Sequence, residues 1–293
     1  MKNSLPERSK EHEDRIKEIA NIIVKAAKDK IAFVILFGSF ARGTWVRDRY
    51  SEDNSVYEYA SDYDFLIIKK FKKKDDKENG ISDFELERKI KREIELATIV
   101  RDSHNPHFVI EPLSYVNSEL EKGRYFFSDI RKEGVLFYDS GEFQLSEPKV
   151  LSKEEIREMA KEDYEYWLKK AFNFLATFQF LFSKQEYIDS SFQLHQAAEH
   201  LYNCVLLVLT GYKPKSHDLC QLGKLAAAQS NRFLTIFPTA TEEQEECFKL
   251  LNKAYIDARY NKNFKIAKDQ LIYLASRIDL LKEVVKEVCK ERI

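Results

Sequence analysis

Two aspartates separated by a single residue, Asp62 and Asp64 in the run Ser61-Asp62-Tyr63-Asp64-Phe65-Leu66-Ile67-Ile68, carry the sharpest chemical signal in this sequence. Side chains two apart on a strand leave on the same face, so the pair offers two hard oxygen ligands to one ion. That set suits Mg²⁺, which prefers octahedral oxygen coordination and is commonly held by a couple of carboxylates plus substrate phosphates. Upstream, Gly38-Ser39 ends an apolar run and Arg42-Gly43 follows. A glycine lets the backbone turn tightly against a phosphate, while the turn's N–H groups and the Ser39 hydroxyl donate to phosphate oxygens. Arg42 adds a fork of donors. Gly38, Ser39 and Arg42 are therefore the expected nucleotide-binding residues, with Asp62 and Asp64 as catalytic metal ligands. A D-x-D pair also arises by chance in a chain with 49 Asp and Glu; the ordered series of strand, Gly-Ser turn, arginine and second strand is what favours function here.

A third carboxylate is expected on a neighbouring strand, ligating metal or taking the proton of an attacking hydroxyl. Glu111, in HFVIEPLSYV, is the candidate for that catalytic and metal-binding role. Its competing reading is an exposed glutamate on an edge strand.

The elements that must position these groups are legible in the apolar spacing. Ile16, Ile19, Ala20, Ile23, Val24 and Ala27 recur every three or four residues, predicting an amphipathic helix over 10–29. It runs into IAFVILFGS, an apolar, β-branched run that reads as a strand buried on both faces. The Asp62–Ile68 run is a second strand, and the lysine-rich FKKKDDKENG reads as a solvated loop. A helix over 82–102, a strand over 107–116, and a short helix with a VLFY strand between Asp129 and Tyr138 follow. The Gly, Ser and Pro of DSGEFQLSEPKV then suggest a linker. Beyond it only helical patterns appear, at 152–183, 187–211, 216–229, 242–258 and 266–290. The expected fold is thus an α/β domain with a mixed sheet over 1–145, followed by an all-α helical bundle over 146–293.

The series GSFARG…SDYDFLII resembles the nucleotidyltransferase superfamily that includes DNA polymerase β and the kanamycin nucleotidyltransferases, over roughly residues 12–140. The resemblance implies that Gly38 and Ser39 hold a triphosphate and that Asp62 and Asp64 bind Mg²⁺. A nucleoside monophosphate, AMP from ATP, would then pass to a hydroxyl acceptor, either a small molecule or a protein tyrosine. One departure is that about 22 residues separate Ser39 from Asp62, more than compact members use. The added stretch contains Trp45, Tyr50, Tyr57 and Tyr59; it is either a flap over the base or acceptor, or a structural excursion whose aromatics pack on the domain.

The segments HQAAEHLYNCVLLVLTGYKPKSHDLCQL and AYIDARYNKNF resemble HEPN domains, over roughly 155–290. Many HEPN proteins are ribonucleases that use an arginine followed a few residues later by histidine. Here Arg259 precedes Tyr-Asn-Lys-Asn-Phe-Lys, so that activity is not expected. His195, His200 and His217 read as packing or capping residues, with Ser216 the candidate N-cap of the helix that Asp218 helps to open. The aromatic run YEYWLKKAFNFLATFQFLF reads as core or dimer interface.

With 48 Lys and Arg against 49 acids, the overall charge gives no general pull toward nucleic acid or anionic membrane. No apolar run approaches the roughly 18 residues of a membrane span, and Cys204, Cys220, Cys247 and Cys289 lie far apart without a CxxC pair. A cytoplasmic protein with free thiols is expected, with a nucleoside triphosphate as partner, no membrane partner and a possible homodimer. The alternative is a noncatalytic nucleotide-binding or interaction module that dimerises through its helical half.

Overall fold

A computed structural model of the chain describes residues 1–52, 55–70, 82–97 and 104–293, which form two compact units, Met1–Val150 and Leu151–Ile293. The lysine-rich segment 71–80 lies outside them, as do the side chains of Tyr50, Tyr57 and Tyr59.

In the first unit the apolar run 31–37 becomes strand β1 (Ile31–Phe37), buried along all but its last residue. The Asp62 run becomes β4 (Tyr63–Lys69) and the third strand is β5 (Pro106–Pro112). The sheet has the order β5-β4-β1-β6, with β6 spanning Val135–Asp139. β1 runs antiparallel to β4 and β6, whereas β4 and β5 are parallel, so the sheet is mixed. The predicted third strand stops four residues early. Leu113 opens helix α4 (Leu113–Glu121) directly after Pro112, which has no N–H to extend a ladder.

Both sheet faces are covered. On one, Ile16, Ile19 and Ile23 of α1 (Glu13–Ala27) join Leu86 and Ile90 of α3 (Asp83–Leu96) over Val34, Leu36, Phe65, Ile67, Phe108 and Ile110. On the other, Phe33, Ile35, Leu66, Ile68 and Val109 are buried on the side where α4 and α5 (Tyr125–Glu133) pack on the strands. The short helix α2 (Gly38–Arg42) leaves the end of β1.

The long spacing between Ser39 and Asp62 is resolved by a hairpin, β2 (Arg47–Glu52) against β3 (Ser55–Ala60). Its base closes where Ser61 N–H donates to Val46 O and Val46 N–H donates to Ser61 Oγ, both at 3.0 Å. The chain therefore re-enters the sheet beside the point at which it left. Trp45 packs on the domain: it stacks on Phe40 at 5.4 Å, carries the Arg8 guanidinium at 5.1 Å from its ring centroid, and donates Nε1–H to Arg8 O.

The first compact unit extends to Val150. Residues 140–150 have no regular structure but are tied to the first unit, with Lys149 N–H on Leu120 O, Ser146 N–H on Asn117 Oδ1, and Arg131 paired to Glu147 at 2.8 Å.

The second unit is helical: α6 (Lys153–Ser183), α7 (Tyr187–Thr210), α8 (Leu219–Ala227), α9 (Glu242–Tyr260) and α10 (Lys268–Arg292). α7 is the centre, buried almost continuously from Leu194 to Val208, and α6, α8, α9 and α10 all pack against it. Asp218, not Ser216, caps α8, accepting from Cys220 N–H and Gln221 N–H, while Ser216 Oγ accepts from Asp218 N–H. All four cysteines are free thiols. Among the described residues no helix is long and apolar enough to cross a membrane.

Candidate functional site

Gly38 occupies the turn from β1 into α2 with φ +72°, a left-handed conformation that side chains disfavour. The reason for glycine is also spatial. Phe37 is paired with Asp64 across the sheet, and a Cβ on Gly38 would overlap Asp64 Oδ2. The turn and the carboxylate therefore lie in direct contact.

Asp62 is exposed one residue before β4, and Asp64 is partly exposed within it. Tyr63 between them is fully buried, its hydroxyl 2.7 Å from His12 Nδ1, so the strand alternation leaves both aspartates on the opposite side. The strand's entry is anchored again by His104, whose Nδ1 donates to Ser61 O at 2.6 Å. His12, Phe40, Trp45, Tyr63 and His104 form one nest of rings with centroids 4.5 to 5.8 Å apart, which fixes the turn and the aspartate strand to each other.

Glu111 does not join the pair. In the parallel register of β4 and β5, Asp64 lies level with His107, whereas Glu111 lies level with Ile68, four residues or about 13 Å further along. It is not an exposed edge residue either, being 1% accessible on the face that α4 covers. Its charge, with that of Glu119, adds to burial in pushing the Tyr115 hydroxyl up to about 12. Strand register, which the sequence did not disclose, thus sets Glu111 apart from the pair it was expected to join as third ligand and general base.

His107 takes the expected place. Its Nδ1 lies 3.0 Å from Asp64 Oδ1, with both side chains mostly covered. Burial alone would pull the imidazole down. The hydrogen bond and charge of Asp64, reinforced by Asp62 and Glu87, more than offset this and leave it raised. The sequence signal for His107 is its position at the start of the third strand.

Arg42 sits at the far end of α2, exposed, with its guanidinium 4.0 Å from Glu133, a contact of little energetic weight. Ser39 is partly exposed at the second position of α2, and its carbonyl accepts the N–H of Gly43 and of Thr44. Among the described residues, no group of three His, Cys, Asp or Glu side chains is placed to hold a metal ion. The structure thus brings together Gly38, Asp62, Asp64 and His107, and leaves Glu111 apart. The donor set of two carboxylates at a glycine turn still fits Mg²⁺ that arrives with a triphosphate, because phosphate oxygens and water complete such a shell.

In the helical unit, His195 and His200 are buried packing residues, as expected. His195 Nε2 donates to His217 O at 3.0 Å, and His200 packs on Trp167 and Phe174. Burial drives His195 down to about 4 and lowers His200 as well. His217 differs: it is half exposed and paired with Glu199, a partner 18 residues away in sequence.

Residues 164–290 match the HEPN domain family. The architecture is therefore a mixed-sheet α/β unit followed by a HEPN domain. No curated protein matches the chain.

Proposed function

We propose that the first unit is a nucleotidyltransferase, binding a nucleoside triphosphate with Mg²⁺ and passing a nucleoside monophosphate, AMP from ATP, to a hydroxyl acceptor. The observation that carries this reading is the contact between Gly38 and the Asp64 carboxylate, with Asp62 two residues upstream. Asp62 and Asp64 would hold the ion, which when bound supplies charge neutralisation at the triphosphate and the leaving pyrophosphate. The turn at Gly38 lets the backbone approach phosphate closely, and the Ser39 hydroxyl donates to it. His107, hydrogen-bonded to Oδ1, orients the Asp64 carboxylate from behind. The acceptor is a small hydroxylated molecule or a protein tyrosine.

Calorimetric titration with ATP, with and without Mg²⁺, tests the binding step, and Mg-dependent binding that disappears in Asp64→Ala is expected. Incubation with ATP labelled at the α-phosphate then separates acceptors, since label retained on protein points to a protein acceptor rather than a small molecule. Absence of Mg-dependent triphosphate binding defeats the reading.

One observation favours a second reading, a noncatalytic nucleotide-binding module whose HEPN domain pairs with a second copy. His107, rather than a carboxylate, stands level with Asp64 on the neighbouring strand. This reading predicts triphosphate binding without pyrophosphate release against any acceptor, and a dimer by light scattering.

A further inference from the structure

The helix α2 is five residues long, so its last four carbonyls, those of Ser39, Phe40, Ala41 and Arg42, have no partner within the helix. Ser39 O takes the N–H groups of Gly43 and Thr44. The next two carbonyls are met by side chains distant in sequence. Ser9 Oγ donates to Phe40 O at 2.8 Å, and Lys2 Nζ donates to Ala41 O at 3.2 Å. Ser9 is fully buried, so no water replaces its hydroxyl if that bond is lost. The lysine also brings positive charge to the negative end of the helix.

The segment that carries both donors is itself fastened to the sheet in two places. At one end the Lys2 backbone pairs along the β6 edge, with Lys2 N–H on Gly134 O at 2.8 Å and Leu136 N–H on Lys2 O at 3.0 Å. At the other, His12 Nδ1 lies 2.7 Å from the hydroxyl of Tyr63, on the strand that carries Asp64. Between them Leu5 is buried in the core and Pro6 lies against Gly43, where an added Cβ would meet its ring at 3.2 Å. Residues 2–12 therefore cross the C-terminal end of α2 as a strap, while Gly38 at the opposite end touches the Asp64 carboxylate. A helix of about one and a half turns is stiff, and any tilt at one end moves the other.

We infer that Ser9 and Lys2 are positioning residues for the phosphate turn: by holding Phe40 O and Ala41 O they fix where Gly38 and Ser39 stand against Asp64. The inference rests on the nucleotide reading of the first unit and adds to it the groups that set the turn in place. Both act through α2 and not on the nucleotide itself.

The test measures Mg-ATP affinity of the full chain by calorimetry. Ser9→Ala should weaken binding about tenfold and Lys2→Met about threefold. Lys2 is only partly buried and its bonds to the β6 edge are made by its backbone, so Lys2→Met decides if Ser9→Ala does not fold. General loosening of the domain would lower affinity equally with or without the Ser39 hydroxyl, whereas an effect passed through the turn would not. Each substitution is therefore repeated in a Ser39→Ala chain, where its effect should shrink to about twofold or less. The inference is overturned if both variants bind as the parent does, or if their effects carry over in full to the Ser39→Ala chain. A parent that binds no Mg-ATP is a separate result, which defeats the nucleotide reading and the inference with it.

Discussion

Each unit sets a histidine against a carboxylate at nearly the same distance, 3.0 Å for His107 and Asp64, 3.1 Å for His217 and Glu199, but the pairs are covered differently. In the first unit, at the glycine turn, the carboxylate and the imidazole are covered alike, 24% and 21% exposed. In the second the carboxylate is buried and the imidazole is presented. How a pair is covered therefore decides which charge it shows to solvent, more than the pair's composition does.

The largest effect that would break this contrast is expected from Asp64→Ala. Under the proposed function it removes a metal ligand worth several kcal/mol of charge stabilisation, so Mg-triphosphate affinity should fall about a hundredfold or more by calorimetry. Glu111→Gln should leave that affinity unchanged while altering thermal stability, because Glu111 is buried away from the turn. Retained binding in the first variant, or lost binding in the second, would reverse the placement of the site. Next in size is Gly38→Ala: the left-handed backbone alone costs about 1–2 kcal/mol, and the added methyl meets Asp64. Chemical denaturation should show at least that loss, with weakened Mg-triphosphate binding.

The two units should also respond to pH in opposite senses. His107 is raised in the native protein. Its stabilising contribution is complete below the unfolded value of about 6.5 and is lost as pH rises through the raised native value. His195 is driven down to about 4. There the unfolded chain takes the proton first, so stability is lost as pH falls from about 6.5 toward 4. Thermal melts across pH 4 to 9 should show His107→Gln flattening the alkaline limb and His195→Gln the acidic one. The smallest effect is shared: Ser82→Ala and Ser152→Ala each remove a capping box, from α3 and α6, and should each cost about 1 kcal/mol.

The elements of both units were legible because each has its own period. The unbroken apolar run 31–36 has no polar residue to turn outward and becomes a strand covered on both faces. The three- and four-residue spacing of Ile16, Ile19 and Ile23 becomes one buried helix face. In the helical half the predicted bounds fall within a few residues of those observed, since capping residues such as Ser152 and the left-handed Gly211 mark helix ends locally.

The sequence by itself determined the two-part architecture, the glycine turn and the aspartate pair, because propensity, turn chemistry and strand alternation act over a few neighbouring residues. Only the tertiary structure decided which third group reaches the pair. Register between β4 and β5 is set by the packing of two sheet faces at once, and a shift of four residues exchanges Glu111 for His107. It likewise decided that Val46 meets Ser61, making a long insertion a closed hairpin, and that Glu199 meets His217 across a helix and a loop. Contacts between distant segments follow from how buried surfaces fit together, and no local pattern encodes that fit.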